Sequence, residues 1–344
     1  MIPYRTRQML KRLLIGLAIL LLFAVVLGMY WFLSLQRYVV YTDDGAKLDF
    51  DMSLQFPDGE IARPPEPGVN ADMIFGDDTD ATAPVFKEMG KLNGYYVSMD
   101  ALKADFSGVS EQIFSLPAGS AVMLEVKNSQ GEFAYSSDLG PNMEGLDPTK
   151  VEALIKKVLT SGYYAVASFP AFYDSAYFEA DPARKENGFL QDGGNGNLWY
   201  DRTNKCHWLN PKKDGTRTFV IQITTEIREL GFHEVVYTDF RIHKTSMIRF
   251  NGDKLKCLNE TADLLVKTCG TDTFTVSFVR EELGLTLPEG RTRLYLNGTT
   301  AADAANLSAQ SGFANPTVKL VFLAETNDTR FDAYSVLRPI EMAQ

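Results

Sequence analysis

Cysteine is scarce, with Cys206, Cys257 and Cys269 the only three in 344 residues. An odd number cannot close a disulfide framework. Cys257 and Cys269 fall within one predicted helix, ~18 Å apart at ~1.5 Å per residue, which is too far for a bridge; any bridge would have to include Cys206. Histidine is as rare, and His207, His233 and His243 show neither HxH nor HExxH spacing, so a zinc site is not expected. No GxGxxG or GxxxxGK[ST] loop is present, which argues against a nucleotide cofactor, and no GxSxG, which argues against an α/β-hydrolase triad. No metal or cofactor is expected. Positive charge is also in deficit, with 34 Lys and Arg against 44 Asp and Glu and a net charge of −10. A phosphate-neutralising face, and hence nucleic acid as a partner, is therefore disfavoured.

What the chain does have is a long apolar run. Leu13 to Leu33 contains no charged residue, and a run of that length spans a hydrocarbon layer of ~30 Å as a helix. Arg5, Arg7, Lys11 and Arg12 precede it, whereas Arg37 alone follows closely, so the positive-inside rule places the N-terminus in the cytoplasm and the remainder outside. A cleaved signal peptide fits less well, because its apolar core is usually ~7–15 residues and ends in small residues, where this chain has Met29-Tyr30-Trp31. The expectation is a single-pass chain in contact with the bilayer through Leu13–Leu33, with residues 1–36 as basic flank and anchor.

Residues 37–83 read as a hairpin and an irregular linker. Arg37–Tyr41 and Ala46–Phe50 flank the turn Asp43-Asp44-Gly45, and the stretch after Gln55 is rich in proline, glycine and acidic residues. From residue 84 to 344 short apolar segments alternate with amphipathic ones. Strands are predicted at Gly94–Ser98, Ala121–Val126, Tyr163–Ser168, His233–Phe240, Phe274–Val279, Arg293–Leu296 and Val318–Leu323. Helices are predicted at Ala101–Leu116, Thr149–Ser161, Arg217–Leu230 and Leu255–Thr268. This βα rhythm implies a parallel sheet with right-handed crossovers. Seven countable strands suit a (β/α)8 TIM-like barrel better than a doubly wound Rossmann sheet, although no eighth strand is evident. The fold expected is thus an α/β barrel preceded by one N-terminal transmembrane helix.

In such a barrel the chemistry lies where the strands end. The segment Gly231–Arg241 closes a strand with Asp239 and Arg241, two residues apart and so on one face. Asp239 there could act as nucleophile, acid, base or sugar-hydroxyl acceptor, with Arg241 keeping it ionised; a structural ion pair is the equally weighted alternative. Glu125, Lys127 and Asn128 close the second strand, where a Glu–Lys pair inside the barrel is the plainer reading. Phe169–Asp174 is an aromatic loop ending in the acid Asp174, suited to stacking on a sugar ring. Trp199 and Trp208 lie in a long polar excursion, either as a ligand platform or as an interdomain plug. Glu325 follows the seventh strand and is more simply a solvated charge.

Three stretches carry a resemblance. Tyr163–Asp174, Trp199-Tyr-Asp with His207-Trp-Leu-Asn-Pro211, and Gly231-Phe-His-Glu-Val-Val-Tyr-Thr-Asp-Phe-Arg241 resemble, in order and spacing, segments of a family of bacterial glycosyl hydrolase domains with a TIM barrel. The likeness runs over roughly residues 90 to 340. It implies hydrolysis of O-glycosyl bonds in polysaccharide or cell-wall glycan, with Asp239 as the central carboxylate and Glu125 or Glu325 as its partner. Arg241, Lys127, Asn128, Asp174, Trp199 and Trp208 are then the expected substrate contacts. This chain departs from the family at two places. Asn128 and Ser129 stand where relatives carry an acidic pair, and Ile242-His243 where they carry Phe-Pro. Those departures fit an alternative, a non-catalytic carbohydrate-binding or cell-envelope scaffold built on the same fold.

Overall fold

The computed structural model describes residues 39–42, 45–48, 88–193, 196–280, 285–326 and 328–340. The apolar run Leu13–Leu33 and most of the 37–83 linker lie outside them. Among the described residues no helix is long and apolar enough to cross a membrane. The chain divides into two compact units, Met1–Gly76 and Asp77–Gln344. Of the first, an antiparallel pair is described, β1 (Val39–Thr42) and β2 (Gly45–Leu48), which meet at Thr42 opposite Gly45.

The second unit is a closed barrel of eight strands. They are β3 (Asn93–Val97), β4 (Ala121–Glu125), β5 (Tyr164–Pro170), β8 (Glu234–Thr238), β9 (Thr275–Arg280), β10 (Leu294–Asn297), β11 (Leu320–Leu323) and β12 (Ser335–Pro339), while β6 (Tyr200–Asp201) and β7 (Cys206–His207) form a short antiparallel pair of their own. Every neighbouring pair is parallel, and β12 closes on β3 through Val336 opposite Asn93. Closure settles the choice against a Rossmann sheet. The eighth strand escapes sequence reading because Ser-Val-Leu-Arg-Pro offers two apolar residues in a row and ends in proline. It is nevertheless buried throughout except at that proline.

Between the strands run α1 (Met99–Ala104), α2 (Phe106–Ser115), α3 (Pro148–Thr160), α4 (Ala176–Ala180), α5 (Asp214–Glu229), α6 (Lys254–Cys269), α7 (Ala304–Gln310) and α8 (Pro316–Lys319). The single helix expected over Ala101–Leu116 is broken at Asp105. Its backbone leaves the helical region, and its side chain accepts from the Gly108 N–H, so it caps a second helix. The long helices follow their apolar spacing. Val151, Leu154, Ile155 and Val158 of α3 are buried, as are Phe219, Val220, Ile223 and Ile227 of α5. All three cysteines are buried and unbridged.

Two side-chain populations fill the structure, as strand alternation requires. Val122, Leu124, Ala165, Val235 and Val276 face outward to the helices. Met123, Val166, Val236, Tyr295, Val321 and Leu337 pack inside the barrel. At the N-terminal end of the strands the interior is polar, and its charges are paired. Glu234, with no solvent exposure, accepts from Ser277 Oγ at 2.6 Å, Tyr295 Oη at 2.9 Å and Tyr164 Oη at 3.0 Å, and forms a short ion pair with Arg293. Arg293 also donates to the carbonyls of Gly90 and Val318, each at 3.0 Å. A buried charged pair that meets these hydrogen bonds lies at that end, where it serves the barrel itself.

Candidate active site

The opposite mouth is built from the segments that follow β4, β5 and β8. At the end of β4, Glu125 is partly buried, and its Oε2 accepts from the Met99 N–H at 2.9 Å. Burial raises its carboxyl above the ordinary carboxylate range. The like charges of Asp100 and Asp239 push in the same direction, while the Met99 hydrogen bond and Lys127 oppose them.

The strand that leads to Asp239 ends at Thr238, two residues before the Phe240 that its apolar pattern predicts. Asp239 has φ of 49°, in the left-handed region, and its carbonyl accepts from the Arg241 N–H at 2.7 Å. Asp239 and Arg241 therefore meet across a tight three-residue turn and not as neighbours on a strand face. Phe240 at its centre is fully buried against Phe172 and Phe278, with ring centroids 5.0 and 4.6 Å away. Its carbonyl accepts from Arg280 of β9 at 3.3 Å. A left-handed conformation at a residue other than glycine costs of order 1–3 kcal/mol and survives where its surroundings impose it. Here the buried ring supplies the constraint.

The turn brings Arg241 Nη2 to 3.5 Å from Asp239 Oδ1, with both side chains about one-third exposed at the mouth. Nη2 also donates to Tyr173 Oη at 2.9 Å, and the guanidinium lies 5.6 Å above the Trp208 ring. Tyr173 is the residue that sequence reading missed. Its neighbour Asp174 drew attention as an acid, and nothing in the spacing distinguishes one ring of Phe169–Asp174 from another. Burial raises its hydroxyl above the usual tyrosine range, and the charge of Asp239 adds to this while Arg241 opposes it. Tyr96 of β3 was also missed. It is partly buried, and its hydroxyl is raised by burial and then by the charge of Glu325. Glu325 itself is exposed after β11, on the side of Tyr96.

Other expected contacts occupy different places. Lys127 and Asp174 pair with each other at 2.9 Å, each only 1% exposed. Lys127 donates in addition to the Tyr173 carbonyl at 3.2 Å, and Asp174 Oδ1 accepts from the Tyr177 N–H at 2.7 Å. Gly131 passes so close that a Cβ there would lie 2.0 Å from Asp174 Oδ1, and its φ of 91° suits glycine alone. Asn128 shapes its own loop, accepting from the N–H groups of Gln130 and Glu132 and donating to the Glu132 carboxylate. Trp199 and Trp208 are 5% and 0% exposed and pack on each other, with ring centroids 6.1 Å apart. Trp208 donates through Nε1 to Asp201 Oδ2 at 3.1 Å, and Asp201 lies 3.8 Å from His243 Nε2. The tryptophans thus support the mouth from below. Among the described residues no group of three or more His, Cys, Asp or Glu is arranged to hold a metal ion.

This geometry, eight parallel strands with carboxylates at their C-terminal ends, defines an α/β barrel of the type that many enzymes use. Residues 112–264 match a family model described as a putative glycosyl hydrolase domain, which bears out the resemblance over that stretch. No curated protein matches. Among solved structures, the alpha-galactosidase from Lactobacillus brevis is 11% identical with a TM-score of 0.50, over 74% of this chain and 38% of that one. A GH36 alpha-galactosidase from Geobacillus stearothermophilus in complex with stachyose is 10% identical with a TM-score of 0.50, over 76% and 40%. A hypothetical protein from Ruminiclostridium thermocellum, 18% identical with a TM-score of 0.45, is covered over 96% of its length by 53% of this chain. The chain spans about two fifths of the length of each galactosidase. At these identities the likeness to the two galactosidases is one of fold.

Proposed function

We propose that the barrel is a glycoside hydrolase in which Asp239 is the central carboxylate and Glu125 the acid. The observation that carries the reading is the difference between their surroundings. Asp239 lies at the mouth beside the Arg241 guanidinium, whereas burial holds Glu125 above the ordinary carboxylate range. Glycoside hydrolysis needs one carboxyl group that keeps its proton until the leaving oxygen takes it, and one that meets the cationic sugar ring as an anion. In a catalytic cycle the Glu125 proton passes to the glycosidic oxygen as the C–O bond breaks. Asp239 stabilises the oxocarbenium-like ring, either as nucleophile or by activating water. Glu325 follows β11 and acts on the Tyr96 hydroxyl of β3, and it is the alternative to Glu125 as the acid.

The test is hydrolysis of a panel of polysaccharides and cell-wall glycans by the full chain and its Asp239→Asn variant. Wild-type cleavage reduced at least 10²-fold in the variant is the expected result. Equal cleavage by both would refute the assignment. We further propose that Leu13–Leu33 tethers the barrel to the outer side of a membrane, so that its substrates are envelope or extracellular glycans. The alternative, a glycan-binding scaffold, draws its support from Asn128, whose side chain is spent on its own loop where relatives carry an acid. Binding on a glycan array without turnover would favour it.

A further inference from the structure

An arginine one-third exposed on a loop gains little from a carboxylate at 3.5 Å. Water and salt screen exposed pairs of that kind, and the side chain has many rotamers to lose. Yet the position of Arg241 is over-determined. Tyr173 Oη accepts from the same Nη2 at 2.9 Å, and the Trp208 ring lies beneath the guanidinium. We propose that Tyr173 is a positioning residue that holds Arg241 against Asp239. This rests on the reading of Asp239 as the central carboxylate.

Tyr173 is itself held from three directions. Lys127 grips its carbonyl at 3.2 Å from within the barrel wall. Its ring stands edge-on to Trp208, with centroids 4.0 Å apart, and the two residues form a β-bridge. Its chain neighbour Asp174 is locked by the Lys127 ion pair and by the Tyr177 N–H. Two charges taken wholly out of water gain little net stability from each other, because desolvation offsets their attraction. What the buried pair does accomplish is to join the β4 loop to the β5 loop at the residue whose hydroxyl meets Arg241. Lys127 and Asp174 thereby reach the mouth through Tyr173 and not by touching a glycan.

The hydroxyl can be removed without the ring. In Tyr173→Phe the full chain is expected to keep its thermal midpoint within about 3 °C, while Arg241 loses one of the contacts that hold it against Asp239. The rate at which phenylglyoxal modifies Arg241, followed by peptide mass spectrometry, should rise about tenfold, the factor that corresponds to losing one hydrogen bond to a charged group. Arg249, which is 56% exposed and remote in its contacts, serves as the internal reference and should be unchanged. On any glycan that the wild type cleaves, kcat should fall about tenfold with KM within about twofold. A second variant, Lys127→Met with Asp174→Leu, removes both buried charges together and should accelerate Arg241 modification likewise. An Arg241 rate unchanged in Tyr173→Phe relative to Arg249 overturns the proposal. A wild type that cleaves no glycan would sink the hydrolase reading alone, since the modification rate decides on Tyr173 without turnover.

Discussion

Lys127→Met is the sharpest probe of how this mouth is built. Lys127 and Asp174 are 2.9 Å apart and 1% exposed, so removing the ammonium leaves a carboxylate with the Tyr177 N–H and no opposite charge. Breaking a buried pair from one side costs about 3–5 kcal/mol, and in a unit of this size that lowers the thermal midpoint by roughly 6–20 °C. Removing both charges in Lys127→Met with Asp174→Leu leaves no orphan and should recover most of the loss, which identifies the cost as an unpaired charge and not lost packing. The assay is urea unfolding of the full chain followed by far-UV circular dichroism, comparing midpoints at a common slope. Were Lys127 instead a glycan contact free of Asp174, the single variant would lose less than ~1 kcal/mol and weaken glycan binding. That outcome would refute the reasoning.

The remaining predictions concern the chemistry and the tether. If Glu125 is the acid, it works only while protonated, so activity falls as pH rises through its value. Because burial raises that value, the alkaline limb of kcat/KM should lie above ~4.3, the ordinary glutamate range. Glu125→Gln should abolish the limb and lower kcat about 10²–10⁴-fold; a variant that retains the wild-type profile would exclude Glu125. For the anchor, the full chain should stay with membranes through alkaline carbonate extraction, and a chain lacking residues 1–36 should not. Release of the intact chain by carbonate would count against a spanning helix.

Sequence periodicity located seven of the eight strands because parallel barrel strands are buried on both faces and read as apolar runs. Ser335–Pro339 broke the pattern, since its serine and arginine each serve polar partners, and Arg338 alternates with the inward-facing Leu337. Ser335 bonds the Leu92 N–H, and Arg338 reaches Asp332. The site was legible as far as strand ends make it so. Asp239, Arg241 and Glu125 were found by position, and all three lie at the C-terminal mouth. What spacing could not reveal was which polar residues spend their groups on one another. Lys127 with Asp174, and Trp208 with Asp201, lie 47 and 7 residues apart in the chain and come into contact only through the loops that close over β4 and β5. Nor could it show that the Asp239–Arg241 pair depends on a left-handed turn pinned by Phe240.

The three buried thiols have a bearing on how the chain matures. Burial, with Asp201 as the foremost nearby charge, pushes Cys206 up to about 12, and burial raises Cys269 to about 11. At neutral pH the thiolate fraction of such groups is roughly one in 10⁴ to 10⁵, against a few per cent for a free cysteine, and only the thiolate attacks a disulfide. Once folded, the barrel withdraws its odd number of sulfurs from thiol exchange. A chain folding in an oxidising compartment would be exposed to mispairing only during the interval before the strands close, after which burial takes the place of a disulfide partner.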